Sequence, residues 1–190
     1  AGTYCSLGRV FGFYRKSTIN QQPPIISVLD GLATMEDGST VALDWPPKAR
    51  SPMLQALSAQ AIQSIFDEEE IDALAHGECL DFAAGLSHAL QGVPHSFMLM
   101  LAPEGRKTLV AHVVVEIDGQ FADSKGLHDK TDLLIEWSDL SGIAPHRFSF
   151  VTTNSIDDVR EFARKLGCTF ESDNAEQAIQ IGERIKALIA

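Results

Sequence analysis

Residues 109–123 leave this chain little choice of local structure. Leu109-Val110-Ala111-His112-Val113-Val114-Val115-Glu116-Ile117 is rich in β-branched residues, Asp118-Gly119 follows, and Gln120-Phe121-Ala122-Asp123 completes the stretch. β-Branched side chains are stiff at χ1 and suit a pleated strand. Asp-Gly between two such runs is a tight-turn signal. The stretch is predicted to be a β-hairpin, with strands over 109–117 and 120–123. Alternation puts Val113, Val115 and Ile117 on one face as a buried stripe, and His112, Val114 and Glu116 on the other. Counting back across the turn brings Asp123 beside residues 112–114, within reach of the His112 ring.

Helices are expected on both sides of this hairpin. Ser51-Pro52 reads as an N-cap followed by Pro at the first helical position. Met53, Leu54, Leu57, Ala61, Ile65 and Phe66 then form one apolar face. The charge run Asp67-Glu68-Glu69-Glu70 reads as a solvated turn or the first turn of a short helix through Leu74, where carboxylates suit the dipole. A further helix is predicted from about 78 to 91, with Cys79, Phe82, Ala83, Leu86 and Leu90 on one stripe. Gly92 is placed to end it and Pro94 to prevent its continuation. Strands are expected over 95–101 and 147–152, with a turn at Pro103-Glu104-Gly105. A short helix is expected over 129–137, another from Asn154 or Ser155 to Lys165, and a last one from Ser172 or Asp173 to Leu188. Helices, an antiparallel meander and helices again give an α+β class, with helices against one face of a small sheet.

Residues 1–50 differ in character. They hold Pro23, Pro24, Pro46 and Pro47 and many small polar residues. Ile25-Ile26-Ser27-Val28-Leu29 and Thr40-Val41-Ala42-Leu43 are strand candidates, with a turn at Asp37-Gly38. This segment is read as an N-terminal arm or accessory element on a main domain spanning 51–190.

At 45% hydrophobic, a chain of 190 residues can bury one sizeable core. A net charge of −11 argues against a nucleic-acid ligand, which calls for a basic face, and against an anionic membrane surface. No apolar run approaches the ~18 residues of a membrane span. Acidity is compatible with a basic protein substrate, although solubility alone accounts for it. Three cysteines make no disulfide framework; a Cys5–Cys168 bridge would leave Cys79 free. The compartment stays open between the cytoplasm and secretion as an effector.

Cys79 lies in His76-Gly77-Glu78-Cys79-Leu80-Asp81-Phe82-Ala83, where a helix begins. The thiolate is the nucleophile, and a helix N-terminus or a neighbouring imidazolium stabilises it. First-turn N–H groups lack helical partners and can donate to an oxyanion on an attacked carbonyl, the Cys79 N–H first among them. Gly77 would let the chain turn into the helix without a Cβ in the way of a substrate. His112 can take the thiol proton and later protonate a leaving group, and Asp123 can fix the imidazole tautomer. His76, Cys79, His88 and His95 match no compact zinc pattern. Asp81 is read as a first-turn dipole partner, Glu116 as a cleft or solvated residue, and Trp45 and Trp137 as core or rim aromatics. Each of these residues also has a bland reading taken singly: a buried thiol, a structural His, a turn Asp.

Gly77-Glu78-Cys79-Leu80-Asp81-Phe82-Ala83, with Leu86, Leu90 and Gly92-Val93-Pro94 after it, resembles the transglutaminase-like core of the papain-like superfamily. His112 on a Val-rich strand with Glu116 four residues on, and Asp123 on the next strand, extend the resemblance to about residues 77–126. Leu80 and Val113 stand where that family commonly has an aromatic residue, and the intervals from Cys to His and from His to Asp are compact. Compact versions occur among bacterial transglutaminase-like peptidases and secreted deamidases. The resemblance implies a catalytic helix on a small antiparallel sheet and a Cys79–His112–Asp123 triad. It implies thioester chemistry on a protein carboxamide or peptide bond (deamidation, transamidation or proteolysis), with no metal or organic cofactor. The alternatives are a noncatalytic binding module of the same fold and an acyltransferase drawing on a small thioester donor.

Overall fold

The computed structural model describes residues 52–190, side chains included, and the backbone of four short strands before them. Those strands are β1 (Thr3–Tyr4), β2 (Ile25–Leu29), β3 (Leu32–Met35) and β4 (Thr40–Ala42). β2, β3 and β4 form an antiparallel sheet in sequence order, and β1 pairs in parallel with β10 (Cys168–Thr169). Both expected strands of this region are present, and β3 stands between them unanticipated. Cys5, Gly38 and Trp45, and the boundary expected at residue 50, lie outside the described residues.

The apolar face from Met53 to Phe66 is carried by two helices, not one. α1 (Pro52–Ala56) stops and α2 (Ala59–Gln63) restarts. Ser58 is the reason: its Oγ accepts the Ala61 N–H at 3.3 Å, a fresh N-cap that helix continuation would forbid. Leu54, Leu57, Ile62 and Phe66 are nonetheless buried, as the spacing required. The acidic run opens α3 (Glu68–His76) through a capping box: Asp67 accepts the Glu70 N–H at 2.9 Å, and Glu70 accepts the Asp67 N–H at 3.0 Å. α4 (Cys79–Ala89) follows after Gly77 and Glu78. Gly92, at φ 83°, takes the left-handed turn out of it.

The main sheet has five antiparallel strands in the order β8-β7-β6-β5-β9. β5 (Ser96–Glu104) and β6 (Lys107–Ile117) run longer than anticipated. Pro103 was expected in a turn, yet it pairs with Thr108 inside the strand. On its other side β9 (Ser149–Thr153) reaches only as far as Leu101, so the missing N–H of Pro103 breaks no ladder bond. β7 (Gln120–Asp123) follows a two-residue turn in which Asp118 (φ 51°) and Gly119 (φ 76°) are both left-handed, the turn that matches strand twist. β8 (Gly126–His128) was not anticipated.

The alternation read on 109–117 needs correction. Leu109 through Val115 are buried on both faces. β6 is the middle strand, and α4 packs on it. A strand covered on both sides reads as a continuous apolar run, which residues 109–115 are, His112 apart.

α5 (Lys130–Ser141) is capped by Asp129 and ends on Gly142 at φ 68°. A 3-10 turn (Pro145–Arg147) leads into β9. α6 (Ile156–Lys165), capped by Ser155, lies against β5 and β9. α7 (Ala175–Ile189) starts at Asn174, slightly later than anticipated, and packs along α4. Gly85 and Gly182 make that contact close: a Cβ on Gly85 would sit 2.6 Å from the Ala178 carbonyl oxygen, and one on Gly182 2.8 Å from the Gly85 oxygen. The molecule is α+β with a small antiparallel sheet. Among the described residues, no helix is long and apolar enough to cross a membrane.

Candidate active site

Cys79 is the first residue of α4 and is 5% exposed. Phe82, Ala83 and Leu86, on its stripe, are buried in the core and fix the helix against β6. Glu78 at the N-cap makes no side-chain cap, unlike Asp67, Asp129, Ser155 and Asn174 at the other long helices. Its carboxylate is turned away, accepting Gln177 Nε2–H at 2.5 Å. Gly77 has φ −140°, a conformation any residue adopts. Its missing Cβ makes room for Glu171, whose Oε2 would lie 2.9 Å away, and not for a substrate.

His112 sits on β6 directly after a bulge. Met100 pairs with His112 and Leu101 with Val110, so Ala111 is the extra residue. Bulges re-aim the side chains beside them. The ring is 1% exposed, and its Nε2–H donates to Asp123 Oδ2 at 2.9 Å. The hairpin register, with Val115 opposite Ala122, places Asp123 as the counting anticipated. A carboxylate accepts only, so the proton of the neutral ring belongs on Nε2. Nδ1 on the far side of the ring has no hydrogen-bond partner. The Cys79 thiol lies close enough to raise the ring's proton affinity, at a geometry outside that of a regular hydrogen bond.

Burial alone would lower the basicity of His112. The hydrogen bond to Asp123 and the influence of Cys79 outweigh it and push the ring up to about 9. Burial would likewise raise Asp123, but the hydrogen bonds from His112 and His128 hold it well below the usual carboxylate range. Asp123 Oδ1 accepts His128 Nε2–H at 2.9 Å and the Lys125 N–H at 2.8 Å. The turn after Asp123 is anchored as well. Ser124 is buried and donates to the Ile71 carbonyl at 2.9 Å. Lys125 Nζ meets Glu136 Oε1 at 2.5 Å. Gly126, at φ 116°, passes so near α2 that a Cβ would lie 2.6 Å from the Ala59 nitrogen.

Trp137 is 3% exposed and lies on the His112 ring, centroids 4.9 Å apart and planes at 33°. It meets His76 edge-on at 5.7 Å. The aromatic side chain against the His112 ring therefore comes from α5. His76 is driven down in basicity by burial and then by the Lys125 charge.

Cys79, His112 and Asp123 thus come together. The other histidines weighed in the sequence are occupied elsewhere: His88 with Glu183 at 3.3 Å, His95 with Ser87 at 2.8 Å. Among the described residues, no group of three or more His, Cys, Asp and Glu is placed to hold a metal ion. Glu116 accepts the Ser96 hydroxyl at 3.2 Å. Asp81 is buried and accepts the Asn174 N–H at 2.6 Å, tying α4 to the start of α7; burial first of all pushes its carboxyl up. Cys168 is a buried free thiol against the Thr108 carbonyl.

Two neighbours of the site escaped the sequence. Trp137 reads there as an ordinary core aromatic. His128 lies on a strand of three residues, too short for alternation to mark. Comparison of the chain with protein-family models, with curated proteins and with solved structures finds no match.

Proposed function

We propose that this chain is a cysteine-dependent acyl-transfer enzyme on a transglutaminase-like, papain-like core, acting on a protein carboxamide or peptide bond. The observation that carries the reading is the His112 ring bonded through Nε2 to Asp123 at 2.9 Å and lying close enough to the Cys79 thiol for that thiol to raise its basicity.

In this reading His112 takes the Cys79 proton on Nδ1, and the Asp123 charge stabilises the imidazolium. The thiolate attacks the carbonyl carbon. First-turn N–H groups of α4, left without a side-chain cap, donate to the oxyanion. The C–N bond breaks, the nitrogen leaves with the proton from His112, and a thioester remains on Cys79. Water or an amine then attacks the thioester while His112 accepts its proton. The thiol departs and recovers that proton. Water completes hydrolysis or deamidation; an amine completes transamidation.

A second reading, a noncatalytic binding module on the same fold, is favoured by burial. Cys79 is 5%, His112 1% and Asp123 4% exposed, so a substrate must displace cover to reach the sulfur.

The test is incubation of the chain with glutamine-containing peptides and hydroxylamine, followed by mass spectrometry. A thioester adduct on Cys79 and hydroxamate product, both lost in Cys79→Ala, support the enzyme. No adduct and no turnover with any peptide support the module.

A further inference from the structure

We propose that His128 is a positioning residue for His112: by gripping the far oxygen of Asp123, it holds the near oxygen on the His112 ring and tunes that carboxylate through its own charge. The inference rests on the reading of Cys79, His112 and Asp123 as nucleophile, base and orienter.

A carboxylate on one short side chain can rotate about its last bond. Here rotation is stopped from one side, because Oδ1 takes both His128 Nε2–H at 2.9 Å and the Lys125 N–H at 2.8 Å. Oδ2 then has one direction left, toward His112 Nε2. The second histidine arrives because the chain reverses at Ser124-Lys125 and β8 pairs back on β7, setting His128 opposite Phe121. Ser124, Gly126 and the Lys125–Glu136 pair fix that reversal from three sides.

The two histidines differ in access. The His128 side chain is 14% exposed, whereas that of His112 is 1% exposed, so His128 exchanges protons with solvent more readily. The charged groups that face His128 are Asp123 from β7, His112 from β6 and Glu136 from α5, with Lys125 beside them in the turn. α2, packed against β8, carries no charged residue. Asp129 and Asp132 are engaged in capping α5, and Lys130 lies over the Phe150 ring. Burial lowers the basicity of His128, and the Asp123 hydrogen bond more than restores it. A charged His128 competes with an imidazolium at His112 for the one carboxylate. Once His128 is neutral, the Asp123 charge serves His112 alone, and His112 holds its proton more tightly.

Two variants separate grip from charge. Gln places an amide N–H where the His Nε2–H stands but cannot ionise; Leu removes both. The full chain is alkylated with iodoacetamide across pH, and the His112 ring is titrated by NMR. His128→Leu slows Cys79 alkylation at neutral pH by about tenfold, a fraction of the ~10²–10⁴ that a positioned base contributes. His128→Gln recovers most of that rate and moves the His112 titration to higher pH. Alkylation of His128→Leu at the wild-type rate overturns the proposal. So does a His128→Gln titration superimposable on wild type, which decides the matter by itself if the Leu variant does not fold. His112→Ala in the same assay tells the two levels apart. If it does not slow alkylation, the nucleophile reading falls and this inference with it. If it does and His128→Leu does not, only the role of His128 falls.

Discussion

Both oxygens of Asp123 point at imidazoles, and that placement decides the protonation state of the site. Taking a His and an Asp to 1% and 4% exposure is costly, and an ion pair so buried seldom stabilises a fold better than apolar side chains of the same size. Replacing Asp123 with Asn keeps the shape and removes the charge. His112, held at about 9 by Asp123 and Cys79, should then titrate nearer its ordinary value of 6.5. Turnover of a reactive peptide amide should fall by about 10²–10⁴-fold. NMR titration of the ring and steady-state kinetics check both; an unmoved titration would show that Asp123 does not charge the ring. At this scale much of the site was legible. Cys79 was marked by its helix start, and His112 by being the one polar residue in the run 109–115. His128 and Trp137 were not, because their roles depend on a three-residue strand and on the direction of α5, neither of which leaves a periodic signal.

Two elements carry the thiol and the imidazole toward each other. α4 holds the sulfur and β6 the imidazole, and α4 is seated between β6 and α7. The Gly85–Gly182 contact sets the depth of that seat. Gly85→Ala would put a methyl 2.6 Å from a backbone oxygen of α7, which cannot move as a side chain end can. The helices must part, at a cost of about 1–3 kcal/mol for an overpacked contact. A lower urea midpoint and slower Cys79 alkylation should appear together. A fully stable variant that alkylates at the wild-type rate would show that α4 is positioned from the sheet alone. The sequence announced α4, β6, β7 and their turn because each carries a strong local cue: an apolar stripe ended by Gly92, a β-branched run, and Asp118-Gly119. It concealed the break at Ser58, the bulge at Ala111 and the continuation of β5 through Pro103. The bulge and the run through Pro103 depend on what pairs alongside, which the order of residues does not state, and the Ser58 cap is masked by an apolar face that continues across it.

Over the whole molecule, the buried His112–Asp123 pair couples folding to pH. His112 has a raised folded value, so its contribution is complete below about 6.5, shrinks as pH rises toward about 9 and is gone above it. Asp123 has a lowered folded value, so its contribution is complete above its ordinary 3.8 and is lost as pH falls through the folded one. Stability should peak on the mildly acidic side of neutrality and drop by on the order of 3 kcal/mol by about pH 10, counting the pair once. Urea unfolding at the two pH values measures the drop, and His112→Leu should shrink it. An equal drop in that variant would assign the pH dependence to other groups. The α+β class was readable from the order of helices and strands. The double burial of β6 was missed although its apolar run carries it, because His112 and Glu116 fall on one parity and imitate the alternation of a half-buried strand.

The most direct test of the account is the rate of Cys79 alkylation by iodoacetamide as a function of pH, in wild type and in His112→Ala. A thiol with an ordinary value near ~8.5 is almost wholly protonated at about pH 6. If His112 takes its proton, wild type reacts at that pH about 10²-fold faster than His112→Ala, and the two rates converge at alkaline pH as the free thiol ionises unaided. Superimposable profiles, both rising only through the alkaline range, would contradict the pairing of Cys79 with His112.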